Sequence, residues 1–181
     1  MATGIDDIEQ QVKGGRNFDN PPLERWHPPL SGDIPIVIEA DGTWYHDGGR
    51  IERDALVRLF ASILRREEDG EYYLVTPVEK WRIEVVSHPL VVTDVEARGE
   101  GEQARLWATL NTGRQVPVDA GHPLFLDHEL EGIAALRLPH GLSALLTRAA
   151  WYRLVDMAEE EQGRPVVKSG DLVFELAAGN K

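Results

Sequence analysis

Two stretches of the chain are written on one plan, and a repeated plan limits the fold more than any single motif present. Ile34 to Ile38 and Thr43 to His46 read as paired short strands, Glu52 to Arg66 as an amphipathic helix, and Asp69-Gly70 as a turn into the aromatic strand Tyr72 to Val75. Gly132 to Leu138, a helix over Leu142 to Ala158, and Ser169-Gly170 turning into Leu172 to Leu176 repeat that order. The pattern predicts an α+β protein of two packed domains related by duplication. The division is expected after Pro77, giving an N-terminal α+β domain with an extended leader over residues 1–77 and a C-terminal α+β domain over residues 78–181. The latter should hold a strongly bent antiparallel sheet or partial barrel, capped by a helix and ended by a final strand.

Local signals fill in this plan. Ile5, Ile8 and Val12 stand at helical spacing before Gly14-Gly15, and Pro21-Pro22 and Pro28-Pro29 bracket a stiff, extended segment in which Trp26 is expected to anchor the leader. Asp41-Gly42 marks a hairpin, because these residues reach the positive φ of tight turns. Leu56, Leu59, Phe60, Ile63 and Leu64 give the first helix its apolar stripe, with Arg65 and Arg66 placed to meet the negative end of its dipole. Trp81, Ile83 and Val85 alternate with Lys80, Arg82 and Glu84, the period of a half-buried antiparallel strand. Strands follow at Leu90 to Ala97, Ala104 to Leu110, Gln115 to Val118 and Leu124 to Leu126. Glu159 to Glu161 should fray the end of the second helix.

Composition removes several function classes. The 181 residues include no cysteine, so neither a disulfide framework nor thiol chemistry is expected. With 31 acidic against 19 basic residues the net charge is -12, opposed to the cation-driven counterion release on which nucleic-acid binding depends. No apolar run approaches the ~18 residues of a membrane span, and the N-terminus lacks the order of a signal peptide, which points to the cytosol. Six histidines show no ligand spacing, so no metal site and no cofactor are expected. Nucleophile elbow, phosphate loop and dinucleotide fingerprint are all missing from the sequence, and no catalytic residue is assigned.

Five tryptophans carry more information, because Trp and Arg dominate binding hot spots. Trp107 and Trp151 read as core. Trp26, Trp44 and Trp81 stand beside polar or basic residues and suit either core or a binding surface.

Thr76-Pro-Val-Glu79-Lys80, preceded by Glu71-Tyr-Tyr-Leu-Val75 and continued by Trp81-Arg-Ile-Glu-Val85, resembles the central signature of a bacterial family, domain of unknown function 1285. Gly48 to Phe60, and Gly141 to Arg148 with Tyr152 to Val155, are similar to its two helices. Ser87-His-Pro-Leu90 departs from the acidic residue and Ala-Pro-Phe of the family pattern. The resemblance implies a fold built by duplication, a C-terminal half superficially like a pleckstrin-homology barrel, a groove at the domain interface and a part in signal transduction.

Together these features suggest a non-enzymatic binding or regulatory module. Its expected site comprises Trp26, His27, Trp44, Glu79, Lys80, Trp81, Arg82, Asn111 and Arg148 at the junction of the domains, taking a protein segment or a small anionic ligand. A structural ion-pair cluster is the competing explanation for the charges. The rival class is a small enzyme using Glu79 with His27 or His122 as an acid-base pair.

Overall fold

A computed structural model describes residues 4–13 and 20–177. Helix α1 spans Ile5–Lys13, and its inward Ile8 and Val12 are buried, as their spacing predicts. The stop expected at Gly14-Gly15 lies outside the described residues. A 3-10 turn at Leu23–Arg25 interrupts the segment between the proline pairs, and Leu23 is its deeply buried residue.

The first sheet contains β1 (Leu30–Ile38), β2 (Trp44–His46), β3 (Gly49–Arg50), β4 (Leu64–Arg66), β5 (Tyr72–Val75) and β6 (Lys80–Val85) in the order β3-β2-β1-β6-β5-β4. Helix α2 (Asp54–Ser62) connects its outer strands and buries Leu56, Leu59 and Phe60 at the predicted spacing. The sequence extends this helix to Arg66. The structure ends it four residues earlier, because Leu64 to Arg66 ladder against Leu74 to Tyr72. Arg65 and Arg66 are therefore strand residues and do not face a helix dipole.

The second sheet contains β7 (Leu90–Arg98), β8 (Arg105–Leu110), β9 (Gln115–Pro117), β10 (Leu124–Asp127), β11 (Ile133–Arg137) and β12 (Ser143–Leu146) in the order β10-β11-β12-β7-β8-β9. In each sheet three strands meander outward from the centre and three return to it, and the first and sixth pair in parallel: β1 with β6, and β7 with β12. The fold is a duplication, with a different repeat from the one the sequence suggests. Strands β1 to β6 correspond to β7 to β12, so α2 falls inside the first copy, whereas α3 (Arg148–Asp156) follows the second. The two helices are not equivalent. Both sheets are mixed, and the second is open, since β9 and β10 stand at its opposite ends.

The long second helix is also corrected. Leu142, Ala144 and Leu146 are buried while Ser143 and Leu145 are half-buried, a period of two, and Thr147 caps α3 by accepting a bond from the Ala150 N–H at 3.2 Å. Glu159 to Glu161 form a strand instead of a frayed helix end. Strands β13 (Glu159–Glu161), β14 (Arg164–Ser169) and β15 (Leu172–Glu175) make a small antiparallel sheet, with Lys168 held by Glu159 and Glu161 across it. Buried Ser169 fixes this sheet to its unit. Its Oγ accepts from the Leu106 N–H at 2.9 Å and donates to the Val118 carbonyl at 2.6 Å.

The chain divides into two compact units at Pro89/Leu90, with residues 140–142 counted in the first. A division after Pro77 would split β6 from its partners β1 and β5, which is why the boundary lies further on. Among the described residues, no helix is long and apolar enough to cross a membrane.

Candidate functional site

Strand alternation in the first unit gathers its most concentrated charge. Asp33 of β1 is in register with Arg82 of β6, Arg82 with Tyr73 of β5, and Tyr73 with Arg65 of β4, so four strands present one row on one face. Lys80, two residues before Arg82, shares that face and stands 4.7 Å from the centre of the Tyr73 ring.

Each member of the row is held. Arg82 donates to both oxygens of Asp33, at 2.7 and 3.0 Å, and its hydrogen bond holds the Asp33 carboxyl below the ordinary range. Glu67 receives Lys80 on one oxygen at 2.7 Å and Arg65 on the other at 2.6 Å. Burial pushes the Glu67 carboxyl up, but the hydrogen bonds from Lys80 and Arg65 outweigh it, leaving the group below its usual value. The Tyr73 hydroxyl donates to Asp69, which with burial pushes the phenol up to about 12 and lowers the carboxyl of Asp69. Arg65 also donates to the carbonyls of Leu23 and Trp26, each at 2.9 Å, tying the proline-bracketed segment to the row.

The opposite direction of β6 carries a second network. Trp81 Nε1 donates to Glu79 at 3.3 Å, Gln11 of α1 donates to the same Glu79 oxygen at 2.9 Å, and buried Thr76 donates to Gln11 at 2.7 Å. These bonds seat α1, which Glu9 also ties to Arg53 at 2.8 Å.

The sequence candidates therefore separate. Lys80 and Arg82 share the charged face, and Trp26 reaches it through its carbonyl. Trp81 and Glu79 belong to the α1 network. Trp44 is core, only 1% exposed and tilted against Phe60, and its Nε1 has no hydrogen-bond partner among the described residues. His27 is exposed and bonds the Glu24 carbonyl at 2.8 Å. Asn111 and Arg148 lie in the second unit: Asn111 accepts from the Val91 N–H at 3.3 Å and pins the ends of β7 and β8, and exposed Arg148 opens α3. Trp107 and Trp151, read as core, are half-buried, because Leu106, Ala108 and Leu154 take the inward positions beside them. Arg98 covers the outer face of Trp107 at 4.7 Å. His122 is bonded to Asp119 within one turn at 3.0 Å.

Asp33, Arg65, Glu67, Asp69 and Tyr73 are not among the site residues that the sequence suggests. Their signal was the alternation of Arg65, Tyr73, Lys80 and Arg82, visible only once four strands are aligned. Among the described residues, no group of three His, Asp or Glu side chains is arranged to hold a metal.

The first of the two units coincides with a family match: the N-terminal domain of domain of unknown function DUF1285 covers residues 21–87, and the C-terminal domain of DUF1285 covers residues 89–176. The chain belongs to the DUF1285 family. It is similar to the crystal structure of a DUF1285 family protein from Silicibacter pomeroyi DSS-3, at 36% identity and a TM-score of 0.86, over 99% of this chain and 97% of that one. A DUF1285 family protein from Shewanella baltica OS155 is similar at 31% identity and a TM-score of 0.56, over 68% of this chain and 91% of the other. No curated protein matches. The boundary between the two matched domains, at residue 88, falls beside the division of the units at Pro89/Leu90, and His88 and Pro89 are buried.

Proposed function

We propose that the chain is a non-enzymatic binding module that recognises an anionic group, on a small ligand or on an acidic protein segment, at the charged face of its first unit. The observation that supports this reading is the Arg82–Asp33 pair, on the two central strands of the sheet. Asp33 is 65% and Arg82 41% exposed, so a ligand carboxylate or phosphate can take the place of Asp33 without stranding a buried charge. The guanidinium offers paired donors in a fixed fork, suited to two oxygens of one anion. Behind it Tyr73 is bonded to Asp69, and Lys80, Glu67 and Arg65 are bonded to one another and to the leader, giving a rigid base. A part in signal transduction, which the family resemblance implies, is a setting in which such a module would act.

Calorimetric titration with inorganic phosphate and with an acidic peptide tests the assignment. Saturable binding of one of them that is lost in Arg82→Gln, with the melting temperature nearly unchanged, supports it. Binding unaffected by the substitution, or no binding of either probe, overturns it.

A further inference from the structure

The second unit holds a cleft of about 180 Å³ far in sequence from the charged row, lined by Leu124, Phe125 and Leu126 of β10, Ala134 of β11, and Val173 to Leu176 on and after β15. It is smaller than the ~300–1,000 Å³ of pockets that enclose whole small molecules. Its lining is consecutive along both strands. Alternate residues of a strand point to opposite faces, so a run of neighbours means that the cleft follows strand edges.

Both edges are open. β10 and β15 are terminal strands of different sheets, each paired on one side only among the described residues. Arg137 N–H donates to the Pro123 carbonyl and Leu176 N–H to the Pro165 carbonyl, both at 2.9 Å, which fixes the phase of the two ladders. By antiparallel alternation Phe125 and Phe174 bond inward, and the backbone groups of Leu124, Leu126, Val173 and Glu175 turn outward. Val173 is 52% exposed there. A trough of mostly apolar side chains whose surface is shared with polar groups, beside outward N–H and C=O groups, is the chemistry of strand addition, in which the main chain supplies affinity and alternate side chains fill the trough.

Charge selects the occupant. Residues 124–137 and 164–176, the strands of the cleft with their immediate partners and turns, carry Asp127, Glu129, Glu131, Asp171 and Glu175 against Arg137, Arg164 and Lys168. All three cations are engaged: Arg137 covers the Phe125 ring at 4.4 Å, Arg164 bonds Glu175, and Lys168 is held by the acids of β13. The surplus is acidic, on a chain of net charge -12, which disfavours a second copy as the occupant.

We infer that the β10/β15 cleft is a docking site for an extended, apolar protein segment flanked by lysine or arginine, which adds to the strand edges. The site is separate from the charged row, and the two assignments stand or fall independently.

The test uses the full chain and a labelled synthetic peptide of alternating valine and threonine with two lysines at each end, beside a version ending in glutamates. Fluorescence anisotropy should show saturable binding of the lysine peptide, weakened by salt, and binding of the glutamate peptide at least about tenfold weaker. Hydrogen exchange should show protection of the Leu126 and Val173 amides on binding. Val173→Lys, at an exposed position, should leave the melting temperature unchanged and weaken capture about tenfold or more by placing a like charge in the trough. Absence of saturable binding, equal binding of both peptides, protection confined to other strands, or indifference to Val173→Lys each overturns the proposal. Concentration-dependent dimerisation abolished by Val173→Lys would overturn it in favour of a second copy.

Discussion

One carboxylate, that of Glu67, serves two cations, and this makes it the residue through which pH should act on the first unit. Its side chain and that of Lys80 are 25% and 18% exposed, so the pair is only partly screened by water. A carboxyl lowered in the folded state contributes stability that is complete above the unfolded value and lost as pH falls through the folded one. Acid titration of the melting temperature should therefore show a decline below about pH 4.5 that is shallower in Glu67→Gln. Lys80→Ala should cost about 1.5–3 kcal/mol, the range for hydrogen bonds to charged groups, measured by urea unfolding. Tyr73 acts at the other end of the scale. With its phenol raised to about 12, the stability it contributes is complete below its ordinary value of 10.0 and lost as pH rises between the two. Burial also raises the phenol of Tyr72, so a near-UV titration of tyrosinate should show late-ionising groups of which one disappears in Tyr73→Phe. The sequence displayed the cations of this cluster but not its carboxylates. Asp33 and Arg82 are 49 residues apart, and nothing local in either segment announces the parallel pairing that joins them.

At the scale of elements, the sequence reading succeeded where one period stood alone and failed where two competed. Ile8 with Val12, and Leu56 with Leu59 and Phe60, have no strand-like alternative, and both helices form on these residues, although α2 ends four residues before its expected end. Leu142, Leu145 and Leu146 fit a helix, yet Leu142, Ala144 and Leu146 fit a strand equally well, and the vacant side of β7 decides for the strand. Thr147, a capping residue in the middle of the apolar run, was the available sign that the helix starts later. Ser169 shows how much an element can rest on one hydroxyl. Ser169→Ala would leave the Leu106 N–H and the Val118 carbonyl without that partner in a site where Ser169 is 2% exposed. A loss of about 1–3 kcal/mol for each stranded group is expected in chemical denaturation. Amide exchange of β14 and β15 should accelerate more than that of β1 and β6, since the hydroxyl anchors only the small sheet.

For the whole molecule, duplication was legible and its register was not. The Gly70 and Gly170 turns set two strand-helix-strand stretches side by side in the sequence, whereas the repeat that folds is a six-strand order with a parallel central pair, a property of pairing that leaves no motif in the residues. That topology has a consequence for autonomy. Every strand of the first sheet lies between Leu30 and Val85, and every strand of the second and third sheets between Leu90 and Glu175, so cutting at Pro89/Leu90 severs no ladder. Each piece retains a contiguous apolar core: Ile36, Ile38, Phe60 and Leu74 in the first, Val92, Leu136 and Leu154 in the second. Pieces of this size bury enough surface to fold alone. Expressed separately, residues 1–89 and 90–181 should each give dispersed amide spectra and a cooperative melt. The first piece should melt below the intact chain, because it loses His140, whose carbonyl accepts from the Arg66 N–H at 3.0 Å and completes the edge of β4. A collapsed amide spectrum for either piece would show that the six-strand repeat is a pattern of pairing without independent stability.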